Sequence, residues 1–406
     1  MNDDDRLSGL SGVLDRATER IATPHLAATT LRVAGARRAR RRAVAGTVVA
    51  VVAVVGAASF VATQRDEAPP APVGSSPATA TSAGGIDPSA QRLWDPFTLA
   101  DAPLAESVLP ERLDPPDLPP SVLDHPMDAA VLAWPEEGED VKLLGANGEW
   151  RCIPGTDDAA TSTWWYSNPA LSSDGSRVAL TTEEGVLVVD VTTGDQQVVP
   201  WPDDLAPPWD TAPQVRWLPG DAGLAVMSWR DNRAVSLDGE WSEAPFAGYS
   251  VAIDPDGAII EHRWRTSELV EWQDGKVTSR VDFPWQGERF VARHGLVAFT
   301  TGSLGDPPRG GPVVADSSTG ELVAYAPIRD PHAAYSDNGG LTAQGFLHED
   351  TVLLLVKPDA VAEQRHDLDT WHLVAWHFRT GEFERVTSGA DPMGMIDVAP
   401  DLVTGD

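Results

Sequence analysis

The sequence predicts an all-β domain, a six-bladed β-propeller with room for a seventh blade, behind one transmembrane helix and a disordered stalk. Three observations lead there. An uncharged run of 20 residues, Ala43–Ala62, comes directly after the block Arg37-Arg38-Ala39-Arg40-Arg41-Arg42. From Gln64 to about Pro120 the composition turns to Pro, Ala, Ser, Thr and Gly. Beyond Ser121 the chain becomes a series of short strand-like runs broken by glycine-containing turns.

At about 1.5 Å per residue, the uncharged run is long enough to cross a hydrocarbon core of about 30 Å as one helix. Arginine beside a span resists translocation, so residues 1–42 read as a cytoplasmic tail, 43–62 as the transmembrane helix, and everything after Thr63 as extracytoplasmic. Val55-Gly56-Ala57 carries the small residues that a signal peptidase accepts, but 42 residues is a long leader before an apolar core, so the span reads as a retained anchor. Within the tail, Leu10, Val13, Leu14, Ala17 and Ile21 recur at helical spacing and end before Pro24. A helix that short buries no core of its own.

Residues 63–120 form the stalk. Pro69, Pro70, Pro72, Pro77 and Pro88 stand among small residues, and so little apolar surface cannot offset the entropy of ordering. Its later part contains Trp94, Phe97, Leu99 and Leu104, which tether it loosely to the outer domain. Strands there would make a seventh blade, but the prolines argue against them.

Charge divides the chain at the span. Residues 1–62 hold nine arginines against five acids, whereas the remainder carries 21 basic and 56 acidic residues. So acidic an outer domain is repelled by nucleic acid and by anionic lipid, which excludes both as its partners; the membrane is met only through Ala43–Ala62. The single cysteine, Cys152, makes no intrachain disulfide, so the outer domain is held by its core alone.

From residue 121 to 406 the turns repeat. Asn147-Gly148, Thr193-Gly194, Asp238-Gly239, Asp274-Gly275, Thr319-Gly320 and Thr380-Gly381 place their glycines 46, 45, 36, 45 and 61 residues apart. Glycine accepts positive φ without steric cost, so such pairs close hairpins. A period of about 40–50 residues with four strands per repeat is that of a propeller blade. A second series falls earlier in each repeat: Ser172-Ser173-Asp174-Gly175, Leu218-Pro219-Gly220-Asp221 and Asp254-Pro255-Asp256-Gly257. Asp174-Gly175, with Val188-Val189-Asp190-Val191-Thr192-Thr193-Gly194 after it, resembles the TolB-like and WD-type propeller repeat, in which an inner strand ends in Pro-Asp-Gly and an outer hairpin turns at Thr-Gly. Val314-Ala315-Asp316-Ser317-Ser318-Thr319-Gly320 repeats the second half. The resemblance implies a fold and leaves the activity open. Six blades then span 126–155, 165–201, 212–243, 248–282, 289–326 and 340–388. The first has room for three strands, and Met395-Ile396-Asp397-Val398 supplies the fourth, closing the ring.

No His-Glu-x-x-His helix, Gly-x-Ser-x-Gly elbow or Gly-x-Gly-x-x-Gly loop is present, so no catalytic residue, metal or cofactor is assigned. His366, Asp367, Asp369 and His372 cluster, but their spacing matches no standard metal site. Asp254, Asp256 and Glu261 could be offered to calcium, yet hairpin geometry alone accounts for that turn. The candidate ligand-binding residues are Trp165, Tyr166, Trp209, Trp264 and Trp285, which fall on connections that a propeller gathers on one face. Indole faces beside carboxylates suit sugar rings and cationic groups. The competing reading wedges the same rings between blades as core.

These features describe a membrane-anchored extracytoplasmic binding or scaffold module whose ligand is a glycan, a peptide or a protein. The tail, anchor and stalk resemble those of membrane proteins from high-GC Gram-positive bacteria. One alternative is a transmembrane sensor of the anti-sigma type, although His25 is the tail's sole candidate zinc ligand. The other is an exported glycan-active enzyme with a carboxylate pair on the loop face.

Overall fold

The computed structural model describes residues 86–88, 91–136, 138–157, 169–207, 212–228, 231–248, 250–255, 257–305, 308–329, 340–357, 370–390 and 396–404. The tail, the apolar run and the first part of the stalk lie outside these residues. Among the described residues, no helix is long and apolar enough to cross a membrane.

Six antiparallel sheets make up a six-bladed propeller. Blades two to five are consecutive four-stranded meanders spanning 170–200, 214–243, 250–282 and 288–325. Blade six runs from Leu341 to Ala390. Blade one combines Ala130–Trp134, Lys142–Gly145 and Trp150–Cys152 with Asp397–Val398, which pairs antiparallel to the first of them at Leu132↔Val398 and Ala133↔Asp397. The expected closing strand is therefore in place, and the blade limits agree with the turn spacing to within a few residues.

The turn series has a physical cause. In blade two, Asp190 Oδ1 accepts the backbone N–H groups of Thr192 and Thr193 at 2.9 and 3.1 Å. In blade five, Asp316 Oδ1 does the same for Ser318 and Thr319 at 2.8 and 3.0 Å. Burial pushes both carboxyls up, but these hydrogen bonds outweigh it and hold them below the usual carboxylate range. The next glycine takes a left-handed φ, 80° at Gly194 and 74° at Gly320. At Gly320 a Cβ would also stand 2.4 Å from the carbonyl oxygen of Asp282, so this hairpin turn of blade five lies against the last strand of blade four.

Strand alternation sends side chains to opposite faces of each blade, so each blade buries residues on two sides. The result is six apolar clusters, one in each seam between neighbouring blades. In blade two, Val178 and Leu180 enter the seam with blade one while Ala179 enters the seam with blade three.

The second half of the stalk segment is docked more firmly than a loose tether. Trp94 forms a parallel bridge with Ile328, and Leu104 another with Arg385. Arg112–Leu113 adds a parallel fifth strand to blade six, and Ser121 bridges to Cys152 of blade one. Trp94 and Leu99 are buried in the seam between blades five and six, and Leu109 and Leu113 in the seam between blades six and one. The prolines take part through their carbonyls: Pro103 accepts from Arg385 N–H and Pro120 from Cys152 N–H. A residue without an N–H still serves an edge that needs an acceptor, so this segment covers outer edges without forming a seventh blade.

Candidate functional site

The inner strands of all six blades line one cavity of about 170 Å³ on the ring axis. Its polar wall comes from Asp397 of blade one, Ser173 of blade two, Gln214, Arg216 and Asp221 of blade three, Arg289 and Arg293 of blade five, and Gln344 of blade six. Blade four supplies Ile253 and Pro255. Because successive strands are antiparallel, turns after the first strand leave one face and the inter-blade connections leave the other. Ser173, Leu218–Asp221 and Pro255 belong to those first turns, so the cavity lies toward their face.

Asp397 stands in the closing strand between apolar Ile396 and Val398, which face the seam with blade one's neighbour. Its Oδ2 accepts the backbone N–H of Leu171 from blade two at 2.7 Å, so the carboxylate bridges the two blades. It is half-buried and lines the axial cavity. Desolvation there pushes its pKa up to about 6, against the pull of the Leu171 N–H and of the Arg216 and Arg289 charges.

The arginines are held in three ways. Arg216 stands in an inner strand between buried Val215 and Trp217, on the blade face opposite to theirs, and lines the axial cavity. Arg289 has φ 51°, at a register slip between Glu288 and Val291. A β-bulge of this kind re-aims a side chain, and the left-handed backbone costs an arginine about 1–3 kcal/mol. Arg293 donates to the Phe346 carbonyl at 2.9 Å and pairs with Asp401 at 2.5 Å. Asp221, at φ 53°, accepts the Ser173 hydroxyl at 2.9 Å. With Asp401, which also lines the cavity, three aspartates stand against the three arginines and cancel them in formal charge.

A larger concavity, about 950 Å³, lies between residues 86–103 and blades five and six. Its aromatic faces are engaged with one another: Trp94 stacks on Phe383 at 4.4 Å, and Phe383 on Trp376 at 6.1 Å.

Of the candidate residues read from sequence, Trp165, Tyr166 and Trp209 lie outside the described residues. Trp264 sits in the turn between the second and third strands of blade four, 63 % exposed, with the Arg265 guanidinium 5.0 Å from its ring. Trp285, between blades four and five, is half-buried and donates Nε1–H to the Gly320 carbonyl at 3.3 Å. Neither lines the axial cavity. His366, Asp367 and Asp369 also fall outside the described residues, while His372 is buried with Nδ1 2.7 Å from Ser388 Oγ. Glu261 is buried, its Oε1 accepting the N–H groups of Ala247 and Gly248 and its Oε2 those of Arg263 and Trp272. Asp254 instead belongs to a hairpin turn, Asp254 N–H bonding to Ala258 and Gly257 N–H to Asp254. Among the described residues, no cluster of three or more His, Cys, Asp or Glu side chains is placed to hold a metal ion.

Sequence reasoning passed over the axial residues. The available signal was a charged residue enclosed by apolar ones in an inner strand, as in Val215-Arg216-Trp217 and Ile396-Asp397-Val398.

No family model matches this chain. No curated protein matches it in sequence. Among solved structures, it is similar to a calcium-binding regucalcin from Agrobacterium tumefaciens, at 16 % identity and TM-score 0.39, covering 71 % of this chain and 98 % of that one. A structure described as a TolB, from the same organism, aligns at 11 % identity and TM-score 0.40, covering 66 % and 96 %. Hydrazine synthase from Kuenenia stuttgartiensis aligns at 14 % identity and TM-score 0.35, covering 58 % and 69 %.

Proposed function

We propose that this chain is a membrane-anchored, extracytoplasmic binding module that takes its ligand in the axial cavity of the propeller. The observation that supports this most is the cavity wall, to which every blade contributes from its innermost strand. A wall assembled from six separate parts of the chain is preorganised by the whole ring, and preorganisation lowers the cost of binding. The arginine block before Ala43–Ala62 supports the topology, with the tail inside and the ring outside. The exposed Trp264 and its loop face provide a second surface, suited to a glycan or a peptide.

Two measurements test this. Protease added to intact cells should remove the propeller and spare residues 1–42; a mature protein free in the medium would overturn the anchor. Calorimetric screening of the detergent-solubilised full chain against glycans, peptides and small metabolites should find a saturable ligand. A chain that binds none of them would be a scaffold.

A further inference from the structure

Building on the axial cavity as the ligand site, we infer that its ligand is a small zwitterion, a carboxylate and an ammonium on a short aliphatic frame, the size of a small α-amino acid. Three properties of the wall lead to this. The first is volume. A cavity of about 150 Å³ holds benzene, with six heavy atoms, so one of 170 Å³ admits a molecule of about six to eight. The cavity is half-open, so a glycan or peptide would place only an end group in it.

The second is charge. The lining is electroneutral yet strongly dipolar, with Asp397 entering from blade one and Arg216 and Arg289 from blades three and five. A lone anion drawn to the arginines would share the cavity with the Asp397 carboxylate, and like charges repel. A lone cation drawn to Asp397 would meet the arginines in the same way. A molecule that carries both charges answers both sides at once and leaves the cavity neutral.

The third is the state of Asp397 itself. Its carboxylate accepts backbone N–H groups of Leu171 and Val398, with the charges of Arg216 and Arg289 nearby but, among the described residues, no ammonium against it. Burial disfavours its charge more than Arg216 and Arg289 favour it. A half-buried carboxylate in that condition gains from a further donor, and a ligand ammonium supplies one. Guanidinium groups in turn match a ligand carboxylate in shape and hydrogen-bond count. Ile253 and Pro255 of blade four give an apolar patch for the connecting carbons.

The test is calorimetry on the detergent-solubilised full chain at about pH 7.5, where Asp397 is ionised. Glycine, L-alanine and L-serine are compared with acetate and methylammonium, which each carry one of the two charges. The expected result is one-to-one binding of at least one amino acid with Kd at or below about 1 mM, and binding of each single-charge probe at least about tenfold weaker. Asp397→Asn and Arg216→Gln should each weaken amino-acid binding about tenfold or more. Should either variant fail to fold, the comparison of probes on the unmodified chain still decides. Acetate binding as tightly as the amino acids, and more tightly still in Asp397→Asn, would make this an anion site and overturn the inference. A chain that ignores all three amino acids but binds a glycan or peptide keeps its binding role and loses this ligand. One that binds nothing loses both.

Discussion

Two seams of the ring are built on different principles. Between blades six and one, where sequence-distant segments meet, 16 buried apolar residues pack together, contributed by both blades, the closing strand and residues 109–113. Between blades three and four the described cluster has five: Ala225, Met227, Phe246, Val251 and Ile259. That seam is completed by polar bonds instead. Glu261 gathers the N–H groups of Ala247 and Gly248 from the inter-blade connection, and Asn232 Nδ2 reaches the Gly248 carbonyl at 2.7 Å. In this seam hydrogen bonds on the connection help register the pair, whereas the equally direct seam of blades five and six still buries 16 apolar residues. The seam of blades six and one relies instead on apolar area, which is non-directional and scales with the surface buried.

The largest test of this contrast removes residues 395–406. Blade one then loses its inner strand and the first seam loses Ile396, Val398 and Val403, so cooperative melting should disappear and the protein should aggregate through an open strand edge. A truncated chain that melts like the parent would show that closure contributes nothing. Within the same seam, Trp371 is fully buried, and Trp371→Ala should cost about 3–5 kcal/mol in denaturant unfolding.

A third seam responds to acid. His262, between blades four and five, is 3 % exposed and packs against Phe283 and Phe290, and burial pushes its pKa down to about 4. The unfolded chain therefore takes up a proton first, near the ordinary value of about 6.5. Stability from this group is complete above pH 6.5 and is lost as the pH falls toward 4, by about 3 kcal/mol in all. His262→Phe should flatten that part of the stability–pH curve; an unchanged slope would place the loss elsewhere.

Smaller effects should mark the polar seam. Glu261→Ala leaves the N–H groups of Ala247, Gly248 and Trp272 without their acceptor and should cost about 1–3 kcal/mol by denaturant unfolding. If it costs as much as Trp371→Ala, the two seams do not differ in kind. At the rim, Gly320→Ala meets both positive φ and the Asp282 carbonyl, whereas Gly381→Ala, at φ 77° with open space around it, meets the backbone strain alone. The second should cost about 1–2 kcal/mol and the first clearly more, as read from their melting temperatures.

The contrast also explains what was legible in the sequence. Blade limits were readable because Asp190 and Asp316 cap their own hairpins: the signal and its cause lie within five residues. The closing strand was readable because a three-stranded first blade needs a partner. For residues 94–122 the tethering by Trp94 and Leu99 was readable but its extent was not, because two-residue parallel pairings and single bridges leave no periodicity, and prolines conceal the edge contacts that their carbonyls make. The axial site was hidden differently. Arg216, Arg289 and Asp397 are each one charged residue in an ordinary strand, and only the ring brings them to a common axis. The aromatic residues stood out by composition, yet the axial wall draws instead on charged side chains that are individually inconspicuous.

The Asp397–Leu171 hydrogen bond joins residues 226 positions apart. At a synthesis rate of about 5–20 residues per second, blade two waits roughly 10–45 s for the strand that completes its neighbour. Over that interval blade one presents a bare edge, and the axial wall lacks its carboxylate. The axial cavity is therefore completed last, after the other five blades have been synthesised. Any molecule that binds the axis would therefore report a finished ring and act as a check on assembly, favouring closed molecules over open ones by mass action alone.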